Sequence, residues 1–597
     1  LKNSTPQNFL RTLHFVWQAS QKWTIAKLIL LVIQALLPLA SLYLMKLVVD
    51  IITESLKEES EIQFEKIAWL IAGLGLANLL SAVASNLAQL VSEAQSQLVT
   101  DYMSNIVHEK SAQLDLAYYE NPKYLNSLHR AQQEAKFRPN QLLNSLTSLL
   151  QSGISLIAIG GLLVYLHWAT AIILILASVP ALLVKLKFSQ KMYVWQKNRT
   201  QKERESMYLS QLLTFANYAK EVKLFNLGLH FQTKFSKIRK VLFGERMKIA
   251  RHRFWLSLFA KASEVLAIIG AYGFIAFRTF RGLLTLGDLV MYYQAFQRGQ
   301  ALLQTSLTNL ASLYENKLFL QNLFDFLDLE TDYEKSTRTN KEVGFDNLTI
   351  QFENVSFSYT PNSKIVLENI NLEAKQNQVI CLVGENGAGK TSLIKLLTGL
   401  YQPNEGKVLV NGRDLSEIRP EEWRSQVSVI FQDYIQYKFP AKENIAIGDI
   451  SKAIQNEKVK ASAKLTGADE VIEKLPKKYD SMLGRMFQEG EELSTGQWQK
   501  IALARAFYSD AKVIVLDEPT SSMDALAEYQ FFQQLKSVAK DKIIFLISHR
   551  LSSATMSDKI YFLEHGEILE SGSHIELVKQ NGKYAKMFNR QAELYRN

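Results

Sequence analysis

The sequence predicts two joined folds: an all-α polytopic membrane domain of six long helices, and after it an α/β domain built around a P-loop. Three observations predict this. Apolar stretches long enough to cross a bilayer crowd into the first half of the 597-residue chain. Beyond Leu329, short β-type runs alternate with helical patterns. In that second part, Gly384 to Thr391 spells a phosphate-cradling loop between a strand and an apolar helix.

A hydrocarbon layer of roughly 30 Å needs about 20 apolar helical residues, and six stretches meet that need. They run from about Thr24 to Val49, Ile67 to Val91, Leu149 to Leu166, Ala169 to Val184, Phe254 to Phe277 and Leu284 to Leu310. The turns after the first, third and fifth are short; His167-Trp168 makes the third and fourth an antiparallel hairpin. The links after the second and fourth keep helical periodicity for tens of residues. Ser92 to Gln113 contains neither proline nor glycine, so that helix continues into water, and Lys185 to Phe215 does the same. Each long link then breaks, at Tyr119-Glu120-Asn121-Pro122 and around Asn226-Leu227-Gly228. Two helical hairpins, each tipped by a short transverse helix, follow from this pattern.

Charge sets the orientation. The net charge of +10 invites a nucleic-acid reading, but many of the basic residues lie between Lys185 and Arg253, alternating with apolar ones in a link between spans. Such bias marks a cytoplasmic link, and the acidic loop Glu54 to Glu65 belongs outside. Arg278 and Arg281 run against the rule without outweighing the long links. A multi-pass protein of the inner or plasma membrane is expected, with both termini cytoplasmic and no nucleic-acid partner. The first apolar run is too long for a cleavable signal. The single cysteine, Cys381, permits no internal disulfide and reads as a small buried strand residue.

Domain boundaries follow from composition: a membrane domain over 1–330, a polar linker over 331–347 and the α/β domain over 348–597. In the last, the strand Gln378 to Val383 leads into Gly384, Glu385, Asn386, Gly387, Ala388, Gly389, Lys390 and Thr391. The glycines let backbone N–H groups wrap phosphates at a helix N-terminus. Lys390 supplies a point charge, and the Thr391 hydroxyl is placed for Mg²⁺. The apolar run Val513 to Leu516 ends in Asp517 and Glu518, one carboxylate for the metal and one for the attacking water.

Leu493-Ser494-Thr495-Gly496-Gln497 lies between these two motifs and resembles the signature of ABC ATPases. Tyr359 matches the adenine-stacking aromatic, Gln432 the lid-loop glutamine, Ser521-Ser522-Met523-Asp524 the loop after the acidic strand, and His549 the switch histidine. The resemblance covers the α/β part motif by motif and the first part in layout only; that layout looks like the exporter class whose dimers swap helices. It implies ATP and Mg²⁺ as cofactors, with Glu518, His549 and Gln432 catalytic and Thr391, Gln432 and Asp517 on the metal. The P-loop with Ser392, Tyr359 and Asp524 would hold nucleotide, while Ser494, Gly496 and Gln497 would complete the site of a second subunit. Thr495 departs from the family's usual glycine. Glu518 and His549 are intact, so a homodimer is the simpler expectation. The resemblance also implies that the link tips dock on nucleotide domains beside Gln432.

Ionisable residues inside a membrane are candidates for function. Lys46, near the outer end of span one, reads as snorkelling. Glu264 and Arg298 lie deeper and either pair together or, for Arg298, face a pathway beside Tyr292, Tyr293, Gln294 and Gln297. With Gln304, Thr305, Thr308 and Asn309, span six has a polar face suited to an amphipathic cargo such as a peptide, a lipid-like compound or a drug. No peptidase segment is expected ahead of span one. The function implied is ATP-driven export by one half of a transporter; the alternative is a membrane-gating or regulatory ABC protein without vectorial transport.

Overall fold

The computed structural model describes residues 5–57, 64–166, 168–330, 344–360, 364–520, 523, 525–548 and 550–596. It divides into two compact units: residues 1–112 with 121–329, and residues 113–120 with 330–597.

The first unit is helical. Helix α1 runs over Thr5–Lys57, α2 over Phe64–Gln113, α4 over Pro122–Leu166, α5 over Trp168–Asn198 and α6 over Thr200–Thr214. Helices α7 (Ala216–Leu224), α8 (Gly228–Phe280) and α9 (Leu286–Leu327) complete it, while the five-residue α3 (Leu116–Glu120) falls in the second unit. Each predicted single break is resolved into two corners flanking a short helix. The first link turns at Leu114–Asp115 and at Asn121; the second turns at Phe215, in extended conformation, and at Phe225–Leu227. The link helix is interrupted once more at Arg199, but hydrogen bonds into Trp195 and from Glu203 carry the ladder across.

Four helices (α1, α2, the second half of α4, and α8) have windows apolar enough to cross a membrane. Among the described residues α5 and α9 do not reach that mark. In α9 the cause is its polar face. Ser306 donates to Ser152 at 2.7 Å, Asn309 to Ser148 at 2.7 Å, and Ser145 to Ser312 at 3.0 Å, so α9 is zipped to α4 by small polar side chains. Such pairs satisfy groups that lipid cannot. An apolar cluster including Leu42, Leu163, Ile275 and Phe296 seals the same seam. Trp69, Leu79, Ile157 and Leu266 remain exposed, which suits a surface solvated by lipid rather than water.

The second unit holds two sheets. Strands β1 (Thr349–Phe357), β2 (Leu367–Lys375), β4 (Glu405–Val410) and β5 (Arg413–Asp414) form an antiparallel sheet ordered β2-β1-β4-β5. The larger sheet is ordered β10-β9-β3-β8-β7-β6, from β3 (Val379–Gly384), β6 (Val427–Ile430), β7 (Val513–Asp517), β8 (Ile543–Ile547), β9 (Lys559–Glu564) and β10 (Glu567–Gly572). Strands β3, β6, β7, β8 and β9 are mutually parallel, and every residue of β3, β7 and β8 is buried, as their unbroken apolar runs require. Cys381 sits within β3, fully buried, its thiol pushed up to about 12 by that burial.

Candidate active site

Parallel register brings the chemistry to one edge. Leu382 pairs with Ile547, Asp517 with Ile547, and Ile430 with Leu516, so β3, β8, β7 and β6 end together. The residues that follow those ends are the P-loop, Ser548, Glu518 and the Phe431-Gln432 step. Crevices at the carboxyl ends of parallel strands are where such sheets bind ligands.

The loop from β3 enters a helix at Lys390–Leu397 through Gly389, which has φ +102° and a backbone so close that a Cβ would lie 2.6 Å from Leu367 Cδ2. Only glycine fits there. The buried Lys390 ammonium donates to the carbonyls of Gly384 at 2.7 Å and Glu385 at 2.8 Å. Burial holds its pKa below the ordinary lysine value, against the pull of Asp517 and Glu518. Asp517, the last residue of β7, is buried; desolvation, then the neighbouring Glu518 charge, push its carboxyl up to about 6, opposed by Lys390 and by a hydrogen bond from Thr391. Glu518 has φ +49°, an uncommon conformation for a non-glycine residue. Its backbone N–H donates to Ile547 at 2.9 Å, and its carboxylate accepts from Gln432 Nε2 at 3.1 Å. Lys390, Thr391, Asp517, Glu518 and Gln432 are thus brought together. Asp524 and His549 lie outside the described residues.

These groups fit Mg²⁺. One undercompensated carboxylate, one hydroxyl and the carbonyl oxygen of Gln432 make a set of hard oxygen donors. No group of three or more His, Cys, Asp or Glu poised for a metal occurs among the described residues. Mg²⁺ is held in this way, by one or two carboxylates together with substrate phosphates, rather than by an all-protein cage.

Tyr359 stands beside the P-loop helix, its hydroxyl 2.9 Å from Ser392 Oγ and its ring 5.3 Å from that of Tyr401. The Lys395 ammonium lies 5.0 Å from the Tyr359 ring and 2.7 Å from Glu120, which also accepts from Tyr401. No sequence motif points to Lys395 or Tyr401, and Glu120 stands out in the sequence only as part of a helix break. The signal was there, since Lys395 follows Ser392 by three positions and shares its helix face. The α3 tip therefore meets the neighbours of Tyr359; the expectation from sequence put the docking beside Gln432.

Ser494 caps the helix Thr495–Tyr508, with Gln497 completing a capping box. Thr495 replaces glycine without disturbing that cap, and its carbonyl accepts from Tyr434 at 2.9 Å. Among the described residues no hydrogen bond joins Ser494, Gly496 or Gln497 to this chain's own P-loop. Gln499, unremarked in sequence and buried, donates from the same helix to the Glu518 carbonyl at 3.2 Å.

In the helical unit, Glu264 and Arg298 do not pair. Arg298 donates to the Pro38 carbonyl at 2.7 Å, while Glu264 accepts from Gln300 at 2.6 Å and from Gln304. Tyr292 is buried; Tyr293 is exposed, packs 4.4 Å from the Tyr272 ring and accepts from Gln297 at 3.2 Å. Lys46 does not simply snorkel, because Asp288 pairs with it at 2.8 Å.

Residues 24–299 match the family model of the ABC transporter transmembrane region, and residues 367–521 that of the ABC transporter itself. The chain is 33% identical to the subtilin transport ATP-binding protein SpaT of Bacillus subtilis, across 93% of this chain and 89% of that one. It is 30% identical to the nisin transport ATP-binding protein NisT of Lactococcus lactis subsp. lactis, across 97% and 95%. In structure it resembles a bacterial Atm1-family ABC exporter with ATP bound, with a TM-score of 0.84 and 21% identity over 96% of this chain and 98% of the other.

Proposed function

The chain belongs to the ABC transporter family, a membrane protein whose transmembrane region is fused ahead of an ATPase that drives transport, and on that premise we propose that it works as half of a homodimer exporting a peptide from the cytoplasm. The observation that carries the chemistry is the convergence of Lys390, Asp517, Glu518 and Gln432 on one sheet edge. Near end-to-end similarity to proteins named for transport of subtilin and of nisin supports a peptide among the amphipathic cargo classes.

In this reading Tyr359 stacks on adenine and the P-loop N–H groups and Lys390 hold the phosphates. Thr391, Asp517 and Gln432 would hold Mg²⁺, which supplies positive charge to the phosphate oxygens. Glu518, pinned by its backbone and by Gln432, orients the water or takes its proton, and His549 would steady the γ-phosphate. Ser494, Gly496 and Gln497 stand at a helix N-terminus, where an anion is favoured; they would serve the ATP of the partner. ATP then stabilises the closed pair, and hydrolysis removes that preference. The α3 and α7 tips would pass closure to the membrane helices. The second tip suits docking, since Leu224, Phe225 and Leu229 are all exposed. Both tips and the ATPase would lie in the cytoplasm.

Glu518→Gln is expected to retain ATP binding and lose turnover, and normal turnover in that variant would sink the assignment. ATP-dependent uptake of a labelled peptide into inside-out vesicles tests export; turnover without uptake of any peptide supports the gating alternative.

A further inference from the structure

A cavity of about 230 Å³ opens between α5, α8 and α9, with polar walls from Lys185, Arg253, Lys261, Glu264, Gln304 and Thr308. Its charges do not cancel. Glu264 is only 2% exposed; its Oε1 is taken by Gln300 and Gln304, and its Oε2 accepts no hydrogen bond and lies 3.5 Å from the Lys261 ammonium. Lys261 therefore answers Glu264. Lys185 donates to the Thr308 hydroxyl and has no carboxylate partner among the described residues; nor has Arg253. Burial, and then the nearby Arg253 charge, hold the Lys185 ammonium below its ordinary pKa. Two adjacent cations without a counter-charge repel each other, and an anion between them relieves both.

The acceptor opposite narrows the ligand. A phosphate, carrying up to two charges and few hydrogens, would sit against the buried Glu264 carboxylate. A carboxylate with an N–H beside it satisfies both walls, because the N–H can go to Glu264 Oε2. Val184 and Leu307, also in the lining, offer apolar surface for a side chain. We propose that this cavity is the subsite for the C-terminal carboxylate of a peptide cargo, received by Lys185 and Arg253, with the last amide N–H received by Glu264. The inference rests on the peptide-export reading for its cargo.

The test uses the full chain in neutral phosphatidylcholine nanodiscs and dansyl-leucyl-leucine, read by fluorescence anisotropy beside its C-terminal amide. The acid is expected to bind at least about tenfold tighter than the amide, the loss of one charge-assisted contact. Lys185→Gln with Arg253→Gln should erase the preference, and Lys185→Arg with Arg253→Lys should keep it, which separates charge from folding. Equal binding of acid and amide by the unaltered protein overturns the proposal, as does a preference surviving the double glutamine variant. Dodecyl phosphate is the rival probe: binding that depends on both cations, without any acid-over-amide preference, makes this a lipid-headgroup site and also overturns it. Vesicle uptake keeps the two readings apart. Uptake without the preference removes the subsite alone; the preference without uptake removes export alone.

Discussion

Asp517 shows how one residue is compromised by the position it must hold. At the end of a buried strand it is poorly solvated, and Glu518 adds a second negative charge beside it. Its carboxyl therefore binds a proton up to about pH 6 when folded but only to about 3.8 when unfolded. Between those values the folded state holds more protons, so stability falls as pH rises through the window and the penalty persists above it. Two pKa units correspond to on the order of 2–3 kcal/mol. Asp517→Asn is accordingly expected to raise the melting temperature of the nucleotide-free protein at pH 7.5, with the gain fading toward pH 4. An unchanged or lower melting temperature at pH 7.5 would contradict the assignment of burial and charge as the cause. Gln499 is the other residue of interest at this scale. It ties the helix that begins at Ser494 to the backbone carbonyl of Glu518, so the helix proposed to serve the partner's ATP is joined to the residue proposed to orient this chain's own attacking water.

Among the elements, the meeting of α1 and α9 is specified residue by residue at their facing ends. Thr285 and Asp288 form a capping box at the start of α9, and Asp288 also holds Lys46. Asp50 accepts the Gly287 backbone N–H at 3.0 Å, and a Cβ at Gly287 would lie 2.6 Å from the Lys46 carbonyl. The two helix ends can approach this closely only because position 287 lacks a side chain. Gly287→Val should force them apart and destabilise the chain by about 1–3 kcal/mol, the usual range for overpacking, visible as a lower melting temperature in detergent. A melting temperature equal to the parent's would show that the ends separate freely. The short helices at the link tips belong to this scale too. Asn121-Pro122 marks one corner in the sequence, but the corner at Leu114–Asp115 has no proline or glycine to announce it, and neither has Phe215.

For the molecule as a whole, the consequential claim is that catalysis needs two chains. Lys390→Ala removes the ammonium proposed to hold the phosphates in one chain, and Ser494→Arg blocks the residue proposed to complete the partner's site in another. Each variant alone is expected to be inactive. Reconstituted together, they should regain a measurable fraction of turnover, because mixed dimers contain one site with an intact P-loop and an intact signature. If signature and P-loop worked within one chain, every site would stay broken and mixing would restore nothing.

Much of this was legible in the sequence because the signals are local. Helix periods, the strand–loop–helix around Lys390, the Asp517-Glu518 strand end and the Ser494 cap each depend on neighbours a few residues away, and propensity and spacing reveal them. What tertiary structure alone decided is who meets whom. Glu264 and Arg298 look like a natural pair when read by depth, yet each has a different partner, because helix rotation settles which faces meet and hydropathy does not encode rotation. Tyr359 and Glu120 converge on Lys395 from 36 and 275 positions away in the chain, and the cations Lys185 and Arg253 share a cavity wall. Contacts at such separation follow from the packing of whole elements, in which burial and charge are balanced over the assembled unit rather than along the chain.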